Sequence, residues 1–383
     1  MSMEDNIKQE PWEKMSDEVK QIWTEIVKKN CPEMPENPEQ GTFYRIFPEG
    51  CVTGLNETYH GTIRIGKDPK KLIVFFNGGG LSWNAYTAAY PATLFSLHMP
   101  ELYYFADVEY MGDGIIKNSI GSERKENPFK DWSVINILYA TGDFHAGEGE
   151  FPYTALDGTD RLLMHHGRKN TLSLIEMAKQ WLGEPETLLI AGPSAGGFGV
   201  ALMADDIIEQ FPTCKNITCL VDSSILIMDG WREIARDVWH APEHIWKRLH
   251  SDNIMLDSYE ALYQKYGEKV KYLFCSTIRD AQLSRMQNKM DGKALVIDKE
   301  GGIKYYALLQ KVAKQLQEKV PGIGLYISDK KLDDPGTREA EVTQHCFLDT
   351  TSMLDYEMEG ITPARWIYNA TQGCVENVGL RLL

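Results

Sequence analysis

The sequence has no long apolar run: no stretch in its 383 residues approaches the ~18 needed to span a bilayer. Residues 1–30 contain nothing resembling the apolar centre of a signal peptide. Together these absences predict a cytoplasmic chain with no membrane attachment. Cysteine is sparse and irregular, with seven residues at 31, 51, 214, 219, 275, 346 and 374 and no C-x-x-C pair. That argues against a disulfide framework and against a zinc ribbon. Positive charge is also short. Forty Lys plus Arg against fifty-five Asp plus Glu leave a net charge of −15, which opposes binding to nucleic acid, to an anionic membrane surface or to a polyanionic substrate. Internal repeats, low-complexity tracts and Gly/Ser linkers are missing too, so nothing marks a domain boundary.

What is present describes a globular chain. Hydrophobic residues at 43% and charged residues at 25% are enough to build a core. Val19, Ile22, Trp23, Ile26 and Val27 recur at helical spacing after Ser16, predicting a helix over 17–29 that covers the core, followed by a proline-bearing loop over 31–40. Segments 43–47 and 58–65 read as short strands of an antiparallel edge. Apolar strands then alternate with helical stretches: 71–76, 134–140, 187–191, 217–221, 271–276 and 323–328, with helices over 169–182, 195–211 and 304–319. The last helix carries Leu308, Val312, Leu316 and Val320 in four-residue steps. This alternation predicts an α/β fold with a mostly parallel central sheet, flanked by helices and interrupted by long loops. The reading is one domain over 1–383, with residues 1–40 packing on it as helix and loop.

Gly192-Pro193-Ser194-Ala195-Gly196 satisfies G-x-S-x-G between an apolar strand and an amphipathic helix. That context lifts a serine hydroxyl above the sheet at the positive end of a helix, the setting of a nucleophile. Asn77-Gly78-Gly79-Gly80 ends an earlier strand, where amides of Gly79 and Gly80 can join that of Ala195 on one oxyanion. A histidine base must follow Ser194, and His345 in Thr343-Gln344-His345-Cys346-Phe347 lies where a loop at the carboxyl edge of the sheet is expected. Two aspartates compete as the acid, Asp280 after strand 271–276 and Asp222 after 217–221; strand spacing leans towards Asp280. Trp83, Tyr86, Trp132, Phe144 and His145 fall in expected loops and are candidates to stack on a sugar face.

His240-Ala241-Pro242-Glu243-His244 matches the letters of an H-x-x-E-H zinc motif, but Pro242 prevents one helix from carrying both histidines. His165 and His166 are adjacent and cannot share a face. No metal site is expected, and hydrolysis through a serine needs no cofactor.

The segments FFNGGGLSW (75–83), ENPFKDWSVINILYATGDFHAG (126–147), AGPSAGGFGV (191–200), VDSS (221–224), RDAQ (279–282) and HCFLD (345–349) resemble the pectin acetylesterase and Notum family of serine esterases, from about Leu72 to Leu348. The resemblance implies an α/β-hydrolase-like fold and removal of an acyl group from oxygen, acetate from polysaccharide in plant members and a fatty acyl group from a signalling protein in the animal one. It puts the nucleophile on Ser194, the acid on Asp280, the base on His345 and the oxyanion amides near Gly79, Gly80 and Ala195. Asp222 then becomes a supporting residue. Three departures stand out: Gly80 replaces an aromatic that commonly follows the paired glycines, and both the leader and the disulfide-type cysteine pattern of secreted members are missing. The expected substrate is a neutral acetylated oligosaccharide or small ester. The alternatives are a longer-chain lipase or thioesterase and an inactive carbohydrate-binding relative.

Overall fold

In the computed structural model, the described residues are 31–383 apart from 94, 95, 97, 98, 100, 109–115 and 333. The expected helix over 17–29 lies outside them. The central sheet has eight strands, β1 (Phe43–Ile46), β2 (Gly61–Arg64), β3 (Asp68–Phe76), β4 (Trp132–Ile137), β5 (Thr187–Pro193), β6 (Asn216–Asp222), β7 (Val270–Thr277) and β8 (Gly324–Ser328). Their order across the sheet is β1-β2-β4-β3-β5-β6-β7-β8. From β4 to β8 every neighbouring pair is parallel, whereas β2 runs antiparallel to both β1 and β4. The expected antiparallel edge is therefore at one end of a mostly parallel sheet.

Strand periodicity divides the core into two layers, because successive side chains point to opposite faces. Leu72, Val74 and Phe76 of β3, with Leu188 and Ile190 of β5, enter one cluster. Ile73, Phe75, Leu189 and Ala191 enter the other. Helices α1 (Gly167–Ala178), α2 (Ala195–Gln210), α3 (Ile254–Tyr266), α4 (Ala281–Met290) and α5 (Lys299–Lys319) contribute to the first face; α6 (Pro363–Thr371) covers the second with Trp366 and Ile367. Strands buried on both faces read as continuous apolar runs, which is why the parallel strands were visible in the sequence.

Several boundaries differ from expectation. β4 begins at Trp132 and stops at Ile137, and residues 138–140 are buried but lie outside the strand. α5 starts five residues before the expected 304, capped by the Asp298 carboxylate, which accepts from the Gly301 amide. Its buried stripe is Tyr305, Leu309, Val312, Ala313 and Leu316, so Leu308 sits at the margin. An antiparallel hairpin, Gly149–Thr154 with Asp160–His165, was not anticipated. Its signal is Asp157-Gly158, with Gly158 at φ +83° and the Asp157 carboxylate accepting the Thr159 amide at 2.9 Å. All seven cysteines are free thiols, six of them buried. Among the described residues, no helix is long and apolar enough to cross a membrane.

Candidate active site

β5 runs out at Pro193 and α2 starts at Ala195, leaving Ser194 to make the whole reversal at φ +53°, ψ −125°. A non-glycine residue at positive φ is strained and persists only where its surroundings hold it. Here the Ser194 amide donates to the carbonyl of Asp222 at 2.8 Å. Its carbonyl accepts from Gly197, Phe198 and the Ser224 hydroxyl at 2.9, 3.2 and 2.7 Å. The turn closes tightly on β3, and a Cβ at Gly196 would overlap the Phe76 carbonyl.

His345 reaches the same place from the loop after β8. Its Nδ1 lies 2.9 Å from Oδ1 and 2.8 Å from Oδ2 of Asp280. Asp280 follows β7, is fully buried, and caps α4 by accepting the amides of Gln282 and Leu283 at 3.0 and 2.9 Å. Burial opposes charge on the imidazole. The charge and hydrogen bond of Asp280, with Asp349 and Asp222 behind it, outweigh that and hold His345 above the ordinary histidine value.

Asp222 does not touch the imidazole. Its Oδ2 accepts the amides of Phe347 and Leu348 at 2.7 and 2.9 Å, and its Oδ1 accepts the Ser223 hydroxyl at 3.1 Å. Burial pushes its carboxyl up from the usual range despite those donors. Asp280 is thus the aspartate that meets the ring, and Asp222 ties down the chain just beyond it.

Gly78 lies against the turn, where an added Cβ would be 3.0 Å from that of Ser194. Gly80 takes φ +75°, and a Cβ there would overlap the Tyr103 carbonyl, so an aromatic has no room at this position. The carbonyls of Asn77, Gly79 and Gly80 accept from His145 Nε2, the Phe105 amide and the Tyr139 hydroxyl at 2.9, 2.8 and 2.9 Å. Among the described residues, no backbone carbonyl accepts from the amides of Gly79, Gly80 or Ala195.

Gly78–Gly80, Ser194, Ala195 and His345 all line one cavity of about 420 Å³. Its other walls are largely apolar, including Leu81, Phe105, Phe198, Leu226 and Met286. Of the five expected sugar-stacking residues only Phe144 lines it, stacked on Phe198 at 4.3 Å. Trp132 is not in a loop; it opens β4 and is buried in the second face, edge-on to Phe129. His145 is buried with its ring on the Asn77 carbonyl. Trp83 packs edge-on against Tyr103, and the exposed Tyr86 donates to Glu101 at 2.6 Å; neither belongs to the cavity wall.

Sequence reasoning missed Tyr103, Phe105, Arg285, Met286 and Asp349, which do line the cavity. Gln282, Leu283, Arg285 and Met286 could have been found from Asp280, because a residue that caps a helix carries that helix's first two turns towards its own site. Asp349 has one carboxylate oxygen buried with no hydrogen-bond partner among the described residues, and burial pushes its carboxyl up to about 6.

His165 and His244, also singled out in the sequence, have partners of their own. His240 sits at φ +51°, outside the short helix Glu243–Trp246, and His244 instead pairs with Asp206 at 3.2 Å. His165 donates from Nδ1 to the Thr141 carbonyl at 2.8 Å. His250, Asp257 and Glu260 converge. Asp257, however, accepts the amides of His250 and Ser251 and the Ser251 hydroxyl, while Glu260 pairs with Lys319. Capping and an ion pair account for that cluster.

Residues 49–236 match the family model described as Pectinacetylesterase. The matched stretch contains the glycine loop, the Ser194 turn and Asp222; Asp280 and His345 lie beyond it.

Proposed function

We propose, from the match of residues 49–236 to the family model described as Pectinacetylesterase, that the chain is a carboxylic ester hydrolase that cleaves O-acetyl esters, of carbohydrate in the first instance, by a Ser194-His345-Asp280 triad in an α/β-hydrolase-like framework. The observation that carries this reading is the pairing of His345 Nδ1 with both oxygens of Asp280, at 2.9 and 2.8 Å, in a cavity that Ser194 also lines. A carboxylate can only accept, so Nδ1 bears the proton and Nε2 presents a lone pair.

Nε2 takes the proton of Ser194 as its hydroxyl oxygen attacks the ester carbonyl. The negative charge that develops on the carbonyl oxygen falls to the amides of Gly79, Gly80 and Ala195. His345 then returns the proton to the departing alcohol, leaving an acyl-serine. Water, deprotonated by the same nitrogen, releases the acid and restores Ser194. Each proton transfer runs through His345, so the sequence of steps calls on no metal or cofactor.

The test is Ser194→Ala assayed on an activated acetate ester. Turnover is expected to vanish with the fold intact; retained turnover overturns the nucleophile assignment. A longer-chain deacylase is the second reading, favoured by a cavity of about 420 Å³ with apolar walls, more room than an acetyl methyl fills. Comparing kcat/KM on acetyl and octanoyl esters of one alcohol separates the two.

A further inference from the structure

The glycine loop poses a problem that the triad does not solve. Three successive glycines have wide backbone freedom, yet oxyanion amides work only when they are aimed in advance. Each peptide unit is planar, so fixing its carbonyl fixes the N–H of the following residue. His145 Nε2 holds the Asn77 carbonyl at 2.9 Å and thereby the plane of the Gly78 amide. The Phe105 amide holds the Gly79 carbonyl at 2.8 Å, which sets the Gly80 N–H. The Tyr139 hydroxyl holds the Gly80 carbonyl at 2.9 Å. The plane carrying the Gly79 N–H is left between pinned neighbours.

His145 is suited to this task. A carbonyl only accepts, so Nε2 must carry the proton, and burial holds the ring down to about 4, leaving it uncharged near neutral pH. The ring packs on Phe76 at 4.9 Å and Tyr139 at 4.8 Å. Its backbone is committed as well. Phe144 and His145 are consecutive non-glycine residues at φ +51° and +62°, a strained pair that its surroundings must hold. Asp143 supplies that support by accepting the Thr141 hydroxyl and the amides of His145, Gly147 and Gly167 at 2.6, 3.1, 3.1 and 2.8 Å. Tyr139 joins the two parts, since its hydroxyl also accepts the Phe144 amide at 3.1 Å.

We propose that His145 and Tyr139 are positioning residues for the oxyanion loop, pinning the peptide planes at its two ends through the Asn77 and Gly80 carbonyls so that the amides of Gly79 and Gly80 between them stay aimed at the reacting oxygen. The inference rests on reading Ser194 as the nucleophile and Gly78–Gly80 as the oxyanion loop. It predicts a loss confined to the transition state, because neither His145 nor Tyr139 lines the cavity and each acts only through the loop backbone.

The experiment measures kcat and KM on an activated acetate ester for His145→Phe, His145→Gln, Tyr139→Phe and Ser194→Ala, with circular dichroism as a fold check. Phe keeps the ring and removes the donor; Gln places an amide N–H near the position of Nε2. His145→Phe should lose about 10–100-fold in kcat, less than the outright loss of an oxyanion donor, with KM within about twofold. His145→Gln should recover about tenfold of that loss, and Tyr139→Phe should fall about tenfold in kcat alone. A folded His145→Phe within about threefold of the parent kcat, or a His145→Gln no better than His145→Phe, overturns the proposal. Should His145→Phe not fold, Tyr139→Phe decides: a fall in kcat at constant KM supports the brace, and an unchanged kcat overturns it. An inactive Ser194→Ala beside an undiminished His145→Phe sinks the brace alone, whereas an active Ser194→Ala sinks the parent reading.

Discussion

The carboxylate of Asp222 accepts the backbone amide of Phe347 at 2.7 Å, joining the end of β6 to the chain two residues past His345. A second bond to Leu348 at 2.9 Å completes a clamp, and Cys346 between clamp and histidine takes φ +61°. The imidazole is thus aimed from two sides, by Asp280 at its Nδ1 and by Asp222 through the backbone. The two aspartates have separable duties.

Replacing Asp222 by Ala strands two buried amides, at about 1–3 kcal/mol each, so unfolding by urea should show a loss of that order together with reduced kcat. Asp280→Asn keeps a carbonyl oxygen for the helix cap while favouring the wrong imidazole tautomer. Its stability should change by less than about 1 kcal/mol while kcat falls about 10³–10⁴-fold. Equal stability losses in the two variants would refute this division of labour.

As the proposed base, His345 must be neutral to act, so activity should fall as pH drops through its value. Negative neighbours raise that value, and Asp349 is among them. Removing its charge with Asp349→Asn should therefore move the acid limb of kcat/KM to lower pH. The shift belongs to the region above about 6, where the Asp349 carboxyl is ionised. A pH profile on an activated acetate ester checks it; an unmoved or alkaline-shifted limb would show that Asp349 does not act on His345.

The aromatics make opposite predictions. Trp132 fills the second face of the core, and Trp132→Ala should cost about 3–5 kcal/mol in unfolding free energy with KM unchanged in the folded fraction. Phe105 is half-buried and lines the cavity, so Phe105→Ala should alter KM. A KM effect at Trp132 without loss of stability would reverse the placement of these residues.

The parts of the fold and site that were legible in the sequence are those fixed by local constraints. A strand buried on both faces must be apolar throughout, so β3, β5, β6, β7 and β8 announced themselves. The Ser194 turn needs its glycines within four residues of chain. Less visible was anything decided by the direction of a ring. His145 and Phe144 are neighbours on one turn, yet one faces the Asn77 carbonyl and the other the cavity, and only the paired left-handed backbone separates them. Trp132 belonged to a strand that begins two residues earlier than its apolar run, because its neighbour Ser133 broke the pattern. The cavity wall from α4 followed from the Asp280 cap, a consequence of three-dimensional position rather than of composition.

Whether Ser194 is the nucleophile of this cavity is read from the stoichiometry and location of labelling by a serine-reactive fluorophosphonate, followed by intact and peptide mass spectrometry. One adduct per chain is expected, on the peptide containing Ser194, forming in step with loss of esterase activity and absent from Ser194→Ala. Labelling of a different residue, or full inactivation with Ser194 unmodified, would contradict it.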